Sequence, residues 1–224
     1  MKKILAVACT KKSKQDKGSL LVYRSLDMLK QEIDLDIHFE NTRGLPEVYN
    51  TYITKKTLKK YDIVTFLHDD VYVDDLKIRG KLYTAHKQFN IVGLAGCLKP
   101  VVKKPALWHL MSERSNWRGY VAHNHKDDFT TVNMTSFGPT PSRVVLIDGL
   151  FMSVDLKSAL ASDWKFDERF KFHHYDMSSC LSANKKRMTI GVTPINVIHS
   201  SPGLTNYHDP VFQNSEKLFL DSYS

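Results

Sequence analysis

Two carboxylates and an imidazole stand together at His68, Asp69 and Asp70, directly after the apolar run 63–67. Such a run is typical of a strand buried on both faces of a sheet. Because burying an unpaired charge is costly, two carboxylates at the end of a buried strand suggest that they bind a ligand or an ion. These groups could bind a divalent cation, and through it the phosphates of a nucleotide. The alternative is a solvated turn that caps the next helix, and the local sequence does not decide between the two.

Polar residues also follow other predicted strands. Thr10 follows the first strand, Glu40 and Asn41 follow the second, and Asp148 follows a later one. In an open parallel sheet the carboxyl ends of the strands face one crevice, where such folds bind ligands. We therefore expect these side chains to line one site with the carboxylate pair. Neither a GxxxxGK[ST] loop nor a GxGxxG motif occurs in the chain, so a nucleotide would have to be held through a metal.

Strands alternate with helices in the first part of the chain. Strands are predicted at about 2–9, 35–39, 61–67 and 91–96, with helices at about 19–32, from Pro46 and at about 74–88. This alternation predicts an α/β fold with a doubly wound, mostly parallel sheet and helices on both faces. No period is sustained over 97–142, which predicts a long irregular insert or lid. Strands at 143–147, 188–192 and 196–199 and helices at 156–161, 176–186 and 211–220 complete one domain.

The composition is that of one ordinary globular domain, with 224 residues, 42% of them hydrophobic, and a formal net charge of +8. That charge favours an acidic partner such as a nucleotide, a nucleic acid or an anionic membrane surface. Three cysteines without CxxC spacing argue against a disulfide framework and a zinc site. The apolar start is too short for a signal peptide, and no stretch reaches the roughly 20 apolar residues of a membrane span. We therefore expect a soluble, cytoplasmic protein.

Short segments follow one another in a recognisable order: Asn41–Gly44 with Val48–Asn50, Phe66–Val71, Val92–Gly96, Ile147–Gly149, Phe166–Glu168, His174–Asp176 and Ile198–His199. Together they resemble family 2 glycosyltransferases with the GT-A fold, and within them the glycosyltransferase-like group named after a streptomycin-biosynthesis protein. The resemblance covers residues 2–203. It implies a single GT-A-type domain with a nucleotide-sugar-binding half at 1–96, the insert at 97–142, and an acceptor and catalytic half at 143–224.

The resemblance implies a metal site at the end of the third strand. Asp70 resembles the last acidic residue of the DxD motif, which binds the Mn²⁺ or Mg²⁺ that bridges the diphosphate of a nucleoside-diphosphate sugar. His68 stands where that motif has its first Asp, which departs from the family pattern, and Asp69 fills the middle position. His199 resembles a late histidine that completes the metal shell, although an ordinary histidine at a strand end is the alternative.

The donor side is implied in the same way. Thr10 and Lys11 occupy the first-strand loop, which embraces the base and ribose in the family. Glu40 resembles the acidic residue that reads the nucleoside, and Asn41 adjoins it. These four residues are the expected contacts of the nucleotide sugar, together with Asp69.

The acceptor side is implied by two further segments. Asp148 and Gly149 resemble the segment that shapes the sugar pocket, where a small glycine lets substrate approach the backbone closely. Asp176 matches the second acid of the family's ED motif, which is the catalytic base, and Tyr175 replaces the first. A carboxylate at the amino end of a helix is favoured in its ionised form, as a base requires. A plain first-turn Asp that stabilises the helix is the alternative. The implied reaction is direct displacement with inversion.

Two other functions stay open at this stage. A nucleotidyltransferase also uses strand-end carboxylates on a metal, but it normally has a Gly-rich phosphate loop after the first strand. A non-catalytic basic module could stack nucleic-acid bases on Trp108, Trp117 and Tyr120. For a glycosyltransferase, the acceptor is either a polyanion such as hydroxymethylated, phage-type DNA or a cell-envelope glycan or lipid-linked sugar. The net charge and the basic segment 99–104 lean towards the polyanion, with the insert as its contact region.

Overall fold

The computed structural model describes residues 3–99, 108, 112–124, 131–201 and 208–223. Its strands are β1 (Ile4–Cys9), β2 (Ile33–His38), β3 (Ile63–His68), β4 (Val71–Val73), β5 (Ile91–Gly93), β6 (Ala95–Cys97), β7 (Trp117–Asn124), β8 (Val132–Gly138), β9 (Ser142–Val144), β10 (Leu146–Ile147), β11 (Phe151–Asp155), β12 (Ile190–Val192) and β13 (Val197–His199). Its helices are α1 (Leu21–Asp27), α2 (Leu45–Tyr49), α3 (Lys55–Lys60), α4 (Ile78–Ala85), α5 (Leu156–Ala161), α6 (Tyr175–Lys185) and α7 (Pro210–Tyr223).

The larger sheet has the strand order β2-β1-β3-β11-β5-β12-β9. β1 lies parallel to β2 and β3, and β12 lies parallel to β5. β11 runs antiparallel between β3 and β5, and β9 runs antiparallel to β12. Val64 and Phe66 of β3 are fully buried, as the apolar run predicted. The α/β class is confirmed, and the sheet is more mixed than expected because an antiparallel strand occupies its centre.

The smaller sheet has the order β10-β6-β7-β13-β4, with β8 paired to β7. β3 ends at His68 and β4 begins at Val71, so the chain passes from the larger to the smaller sheet through Asp69 and Asp70. β13 lies antiparallel to β4, with His199 opposite Val71. The carboxylate pair therefore lies where the two sheets meet.

The described parts of the segment 97–142 are more regular than expected. β7 and β8 form an antiparallel pair, and β7 also pairs with β6 and β13. Most of β8 is exposed, and its apolar residues Val132, Met134 and Phe137 do not keep one period along the strand, so the pattern does not predict it. Of the basic segment 99–104, only Lys99 lies within the described residues.

Other elements differ in their bounds. The expected strand 143–147 is divided at Val145, whose N–H donates to the Cys97 carbonyl at 2.9 Å, so β9 joins the larger sheet and β10 the smaller. The expected helix 74–88 is shorter, because β4 and its exit turn occupy the residues before Ile78. β11 was not predicted, since a short apolar run fits a strand and a buried helix equally well.

An aromatic cluster lies beneath the carboxyl end of β3. The rings of Tyr49 and Phe66 are 4.4 Å apart, and Phe166 lies 5.1 Å from Phe66. Tyr175, the first residue of α6, packs 6.0 Å from Tyr49. Asn50 fixes the same region, because its side chain exchanges hydrogen bonds of 3.0 and 2.9 Å with the backbone of Phe166. The cluster therefore holds the start of α6 against the end of β3.

The tryptophans of the nucleic-acid hypothesis pack inward. Trp108 is only 1% exposed, and its ring lies 5.3 Å from that of Phe137. Trp117 also contacts Phe137 and donates from Nε1 to the Ser112 carbonyl at 3.2 Å. A buried ring offers no face to a base, so Trp108 does not support a stacking surface. Within the described ranges, no helix has the length and apolar character required to cross a membrane.

Candidate active site

Three predicted metal ligands come together at the junction of the sheets. One ligand atom from each of His68, Asp70 and His199 lies within 4.8 Å of the others. Strand pairing brings them there, because β13 lies beside β4 and the Ser200 N–H donates to the Asp70 carbonyl at 2.9 Å. The sequence predicted this cluster, and the register of the smaller sheet supplies its geometry.

The electrostatics of the cluster fit a cation. Asp70 Oδ1 and His199 Nε2 are buried and lie 3.3 Å apart as an ion pair, and neither atom forms a further hydrogen bond with a described residue. Burial lowers the pKa of His199, but the Asp70 carboxylate outweighs burial and the net shift is upward. Burial lowers the pKa of His68, which favours its neutral, metal-binding form. Two imidazoles with one carboxylate suit Mn²⁺ better than Mg²⁺, which prefers oxygen ligands.

Asp176 occupies the first turn of α6, beside Gly149. Its Oδ2 accepts the Gly149 N–H and its Oδ1 accepts the Met177 N–H, each at 2.9 Å. Burial and then the Asp148 charge raise the pKa of Asp176 to about 7, although the backbone N–H groups oppose the shift. The helix terminus alone predicted a readily ionised carboxylate, and the surroundings reverse that expectation. A carboxyl group that titrates near neutrality suits general-base work.

Asp148 interacts electrostatically both with the histidines of the His68, Asp70 and His199 cluster and with Asp176. Its charge contributes to the pKa shifts of His68, His199 and Asp176, so it lies within electrostatic reach of all three. Asp148 Oδ1 accepts the Leu150 N–H at 3.0 Å, which fixes the carboxylate in its loop. The metal-ligand cluster and the candidate base therefore belong to one crevice.

A family model described as a glycosyltransferase-like family matches residues 6–223, nearly the whole chain. The chain belongs to this glycosyltransferase-like family. No curated protein matches the sequence.

Solved structures show the same fold at low sequence identity. A197 from STIV is 12% identical with a TM-score of 0.52, over 88% of this chain and 85% of that one. S. aureus TarS 1–349 is 11% identical with a TM-score of 0.51, over 97% and 64%. The catalytic domain of Drosophila beta1,4-galactosyltransferase 7, in complex with xylobiose, is 10% identical with a TM-score of 0.50, over 93% and 73%. The glycosyltransferase-like chain thus has the single GT-A-like fold that its motifs predicted.

Thr10 and Asn41 of the glycosyltransferase-like chain lie side by side after β1 and β2. The Thr10 N–H donates to the His38 carbonyl, and the Thr10 carbonyl accepts the Asn41 N–H, each at 2.9 Å. Cys9 pairs with His68 in the sheet, so the next residues, Thr10 and Asp69, leave adjacent strands. Asp69 lines a cavity of about 70 Å³ with residues of both strand ends.

Lys11 and Glu40 flank this region on exposed loops. The Glu40 N–H donates to the Lys12 carbonyl at 3.0 Å, and Glu40 has a φ of 48°, a left-handed conformation that is uncommon outside glycine. Such conformations concentrate at functional sites. Across the described residues, neither Lys11 nor Glu40 makes a side-chain contact with the metal-ligand cluster.

The structure shows a packing reason for a glycine at position 149. A Cβ atom there would meet the Tyr175 hydroxyl at 2.6 Å, Tyr175 Cζ at 2.8 Å and Asp176 Cβ at 3.1 Å. The space that a side chain would need is filled by α6, so packing alone requires a glycine here, and close substrate approach at Gly149 stays a prediction. Gly149 permits α6 to dock closely enough for Asp176 to face the crevice.

We expect Gly149→Ala to destabilise the protein by about 1–3 kcal/mol, because the added methyl overpacks a buried tyrosine ring. Thermal or urea unfolding measures the change. Gly80→Ala is the matched control: nothing lies within 4 Å of its Cβ position in α4, so it should stabilise by about 0.5–1 kcal/mol. Equal stability of Gly149→Ala and wild type would show that α6 does not dock as described.

Two further residues of the crevice escaped the sequence reasoning. Phe172 is 53% exposed and stacks on His68 with ring centroids 5.7 Å apart. Tyr175 was noted only as the replacement of an acid, yet its hydroxyl contacts both Gly149 and His68. The contacts of His68 with Phe172 and Tyr175 have no signal in the sequence, because tertiary packing alone joins segments more than a hundred residues apart.

Proposed function

We propose that the protein is a metal-dependent, inverting glycosyltransferase that moves a sugar from a nucleoside-diphosphate sugar to an acceptor hydroxyl. The observation that carries the proposal is the His68, Asp70 and His199 cluster beside Asp176, in a chain of the glycosyltransferase-like family. The order of the motifs supports the finer assignment to the group named after a streptomycin-biosynthesis protein.

The cluster would hold the cation through His68, Asp70 and His199. When bound there, a divalent cation would supply positive charge that stabilises the departing diphosphate. Asp70 Oδ1 and His199 Nε2 support this assignment, because beyond their mutual contact at 3.3 Å neither buried atom has a hydrogen-bond partner among the described residues, and a cation would satisfy both. Thr10, Lys11, Glu40, Asn41 and Asp69 are the proposed contacts of the nucleoside and ribose.

Asp176 is the proposed base. Its carboxylate takes the proton of the acceptor hydroxyl while the acceptor oxygen forms a bond to the anomeric carbon. The bond from that carbon to the diphosphate breaks on the opposite side, which inverts the configuration. A pKa of about 7 leaves a large share of Asp176 ionised at neutral pH and makes it an effective proton acceptor. Its two backbone hydrogen bonds hold the carboxylate in place through the reaction.

The proposed acceptor is anionic. The net charge of +8 supports this class, since clustered positive charge attracts phosphate-rich partners. Hydroxymethylated DNA is the acceptor to test first. Transfer to it should weaken steeply with added salt, because each lysine–phosphate contact releases counterions on binding. Transfer to a cell-envelope glycan or lipid-linked sugar, with none to DNA, would contradict the DNA assignment.

The decisive experiment incubates the protein with a panel of nucleotide sugars, UDP-sugars included, and Mn²⁺, first without acceptor and then with the candidate acceptors. We expect release of free nucleoside diphosphate, and chelation should stop it. Release of pyrophosphate from a nucleoside triphosphate and a sugar phosphate would instead identify a nucleotidyltransferase. Absence of turnover with every donor would overturn the enzymatic proposal.

A further inference from the structure

Two departures from the family motifs meet in the fold. His68 replaces the first Asp of the DxD pattern and Tyr175 replaces the acid before Asp176, and the two residues are 107 positions apart. The Tyr175 hydroxyl nevertheless lies 3.2 Å from His68 Nε2. We propose that the Tyr175 hydroxyl fixes His68 in the tautomer that carries its proton on Nε2, which leaves the Nδ1 lone pair for the cation. The cation part rests on the proposed function, whereas the tautomer part does not.

The direction of the hydrogen bonds follows from counting protons. Tyr175 has a single hydroxyl proton, and its oxygen lies 2.7 Å from the Gly149 carbonyl oxygen. A carbonyl has only lone pairs, so the tyrosine must donate its proton there. Towards His68 the hydroxyl then offers a lone pair, and His68 Nε2 must supply the proton. A neutral imidazole carries one proton, so Nδ1 is left as an acceptor.

The packing keeps the hydroxyl from turning away. The Tyr175 ring is 2% exposed, rests against Phe166 at 6.1 Å, and fills the space that Gly149 leaves open. On the other side, Phe172 stacks on the His68 imidazole with an interplanar angle of 25°. The imidazole is therefore held by a hydrogen bond at one nitrogen and by stacking on its face.

This arrangement matches what a histidine ligand requires. A metal-bound imidazole normally donates its other N–H to a neighbouring acceptor, which sets its tautomer and raises its basicity. Such partners are usually carboxylates, backbone carbonyls or water, and here the acceptor is a buried phenol oxygen that is itself tied to a carbonyl. Tyr175 is thus a positioning residue for His68, and the two replacements act as one unit.

The tautomer can be read directly from long-range ¹H–¹⁵N correlation spectra of the cation-free, ¹⁵N-histidine-labelled protein, with His68 assigned through His68→Gln. We expect His68 to show the Nε2–H pattern in the wild type and a mixture of tautomers in Tyr175→Phe. An Nδ1–H pattern in the wild type would overturn the proposal. The wild-type spectrum decides this point even if the variant fails to fold.

A second measurement tests the link to the cation. Tyr175→Phe should weaken Mn²⁺ binding by about 10–100-fold, measured by electron paramagnetic resonance of free Mn²⁺. Tyr52→Phe is the matched control, because its hydroxyl also lies between a histidine and an acceptor, at 2.6 Å from His38 Nε2 and 2.6 Å from Asp36 Oδ2. It should leave Mn²⁺ affinity unchanged, and an unchanged affinity in Tyr175→Phe would overturn the positioning role.

The nitrogen spectra and the Mn²⁺ titration distinguish a failure of the proposed function from a failure of the tautomer assignment. A wild-type protein that binds no Mn²⁺ would overturn the proposed metal dependence and the cation part of this inference, while the spectra still decide the tautomer. A protein that binds Mn²⁺ with His68 in the Nδ1–H form would overturn this inference and leave the proposed function intact.

Discussion

Asp70→Ala should abolish Mn²⁺ binding and reduce sugar transfer by about 10³-fold or more, because it removes the one carboxylate of the ligand cluster. The loss should be larger than for either histidine, since Asp70 carries the negative charge that attracts the cation. Its removal also leaves His68 and His199 without the carboxylate nearest to them, so that only the more distant Asp148 charge acts on both imidazoles. Electron paramagnetic resonance of Mn²⁺ and donor turnover measure the two effects in the same samples.

A nearby carboxylate provides the control for charge alone. Asp74 follows β4 on the exposed surface, four residues after Asp70. Asp74→Ala removes the same group from the same region and should leave both Mn²⁺ affinity and transfer near wild-type values. Mn²⁺-dependent transfer by Asp70→Ala at the wild-type rate would show that the cation is held elsewhere.

Asp176→Asn should lower transfer by about 10²–10⁴-fold while donor binding is retained, since the amide keeps the size of the side chain and loses the proton acceptor. The backbone N–H of Gly149 still finds an oxygen in one orientation of the amide. Donor binding by calorimetry and transfer by product analysis distinguish the two effects. Undiminished transfer by this variant would remove Asp176 as the base.

The pH profile gives an independent check on the base. Asp176 must be ionised to accept a proton, so transfer by the wild type should fall about tenfold per pH unit below its pKa of about 7. Asp148 raises that pKa through its charge. Asp148→Asn should therefore shift the acid limb of the profile to lower pH, whereas Asp74→Ala should leave it in place. An acid limb that ignores Asp148 would contradict the electrostatic account of the site.

The sequence was sufficient for the features that depend on local pattern and strand order. The buried run 63–67 is β3, and the residues after it lie at the end of the sheet, because a continuous apolar run followed by charge marks a strand that leaves the core. To predict that His199 lies near Asp70, the family motifs were needed in addition to the local pattern. This nearness depends on the antiparallel pairing of β13 with β4, which no local pattern encodes.

The features of the site that the sequence did not predict depend on contacts between distant segments of the chain. The sequence predicted close substrate approach at Gly149, and only the docked Tyr175 shows the separate packing reason why no side chain fits there. The pKa of Asp176 is raised by burial and by the charge of Asp148. Both causes depend on segments outside α6, so the sequence of the helix does not reveal them. Helix-terminus reasoning gave the opposite direction because it counts only the nearest dipoles.

The position of the ligand cluster between the sheets has a consequence for the molecule as a whole. His68 ends a strand of the larger sheet and His199 ends a strand of the smaller one, with Asp70 in the crossing between them. On the proposed function, one ion then cross-links both sheets, and its binding free energy adds to the free energy of unfolding. At a hundredfold excess over its dissociation constant that addition is about 2.7 kcal/mol. Binding of the cation and the association of the two sheets are therefore coupled, and the protein without its ion should unfold more readily than the protein with it.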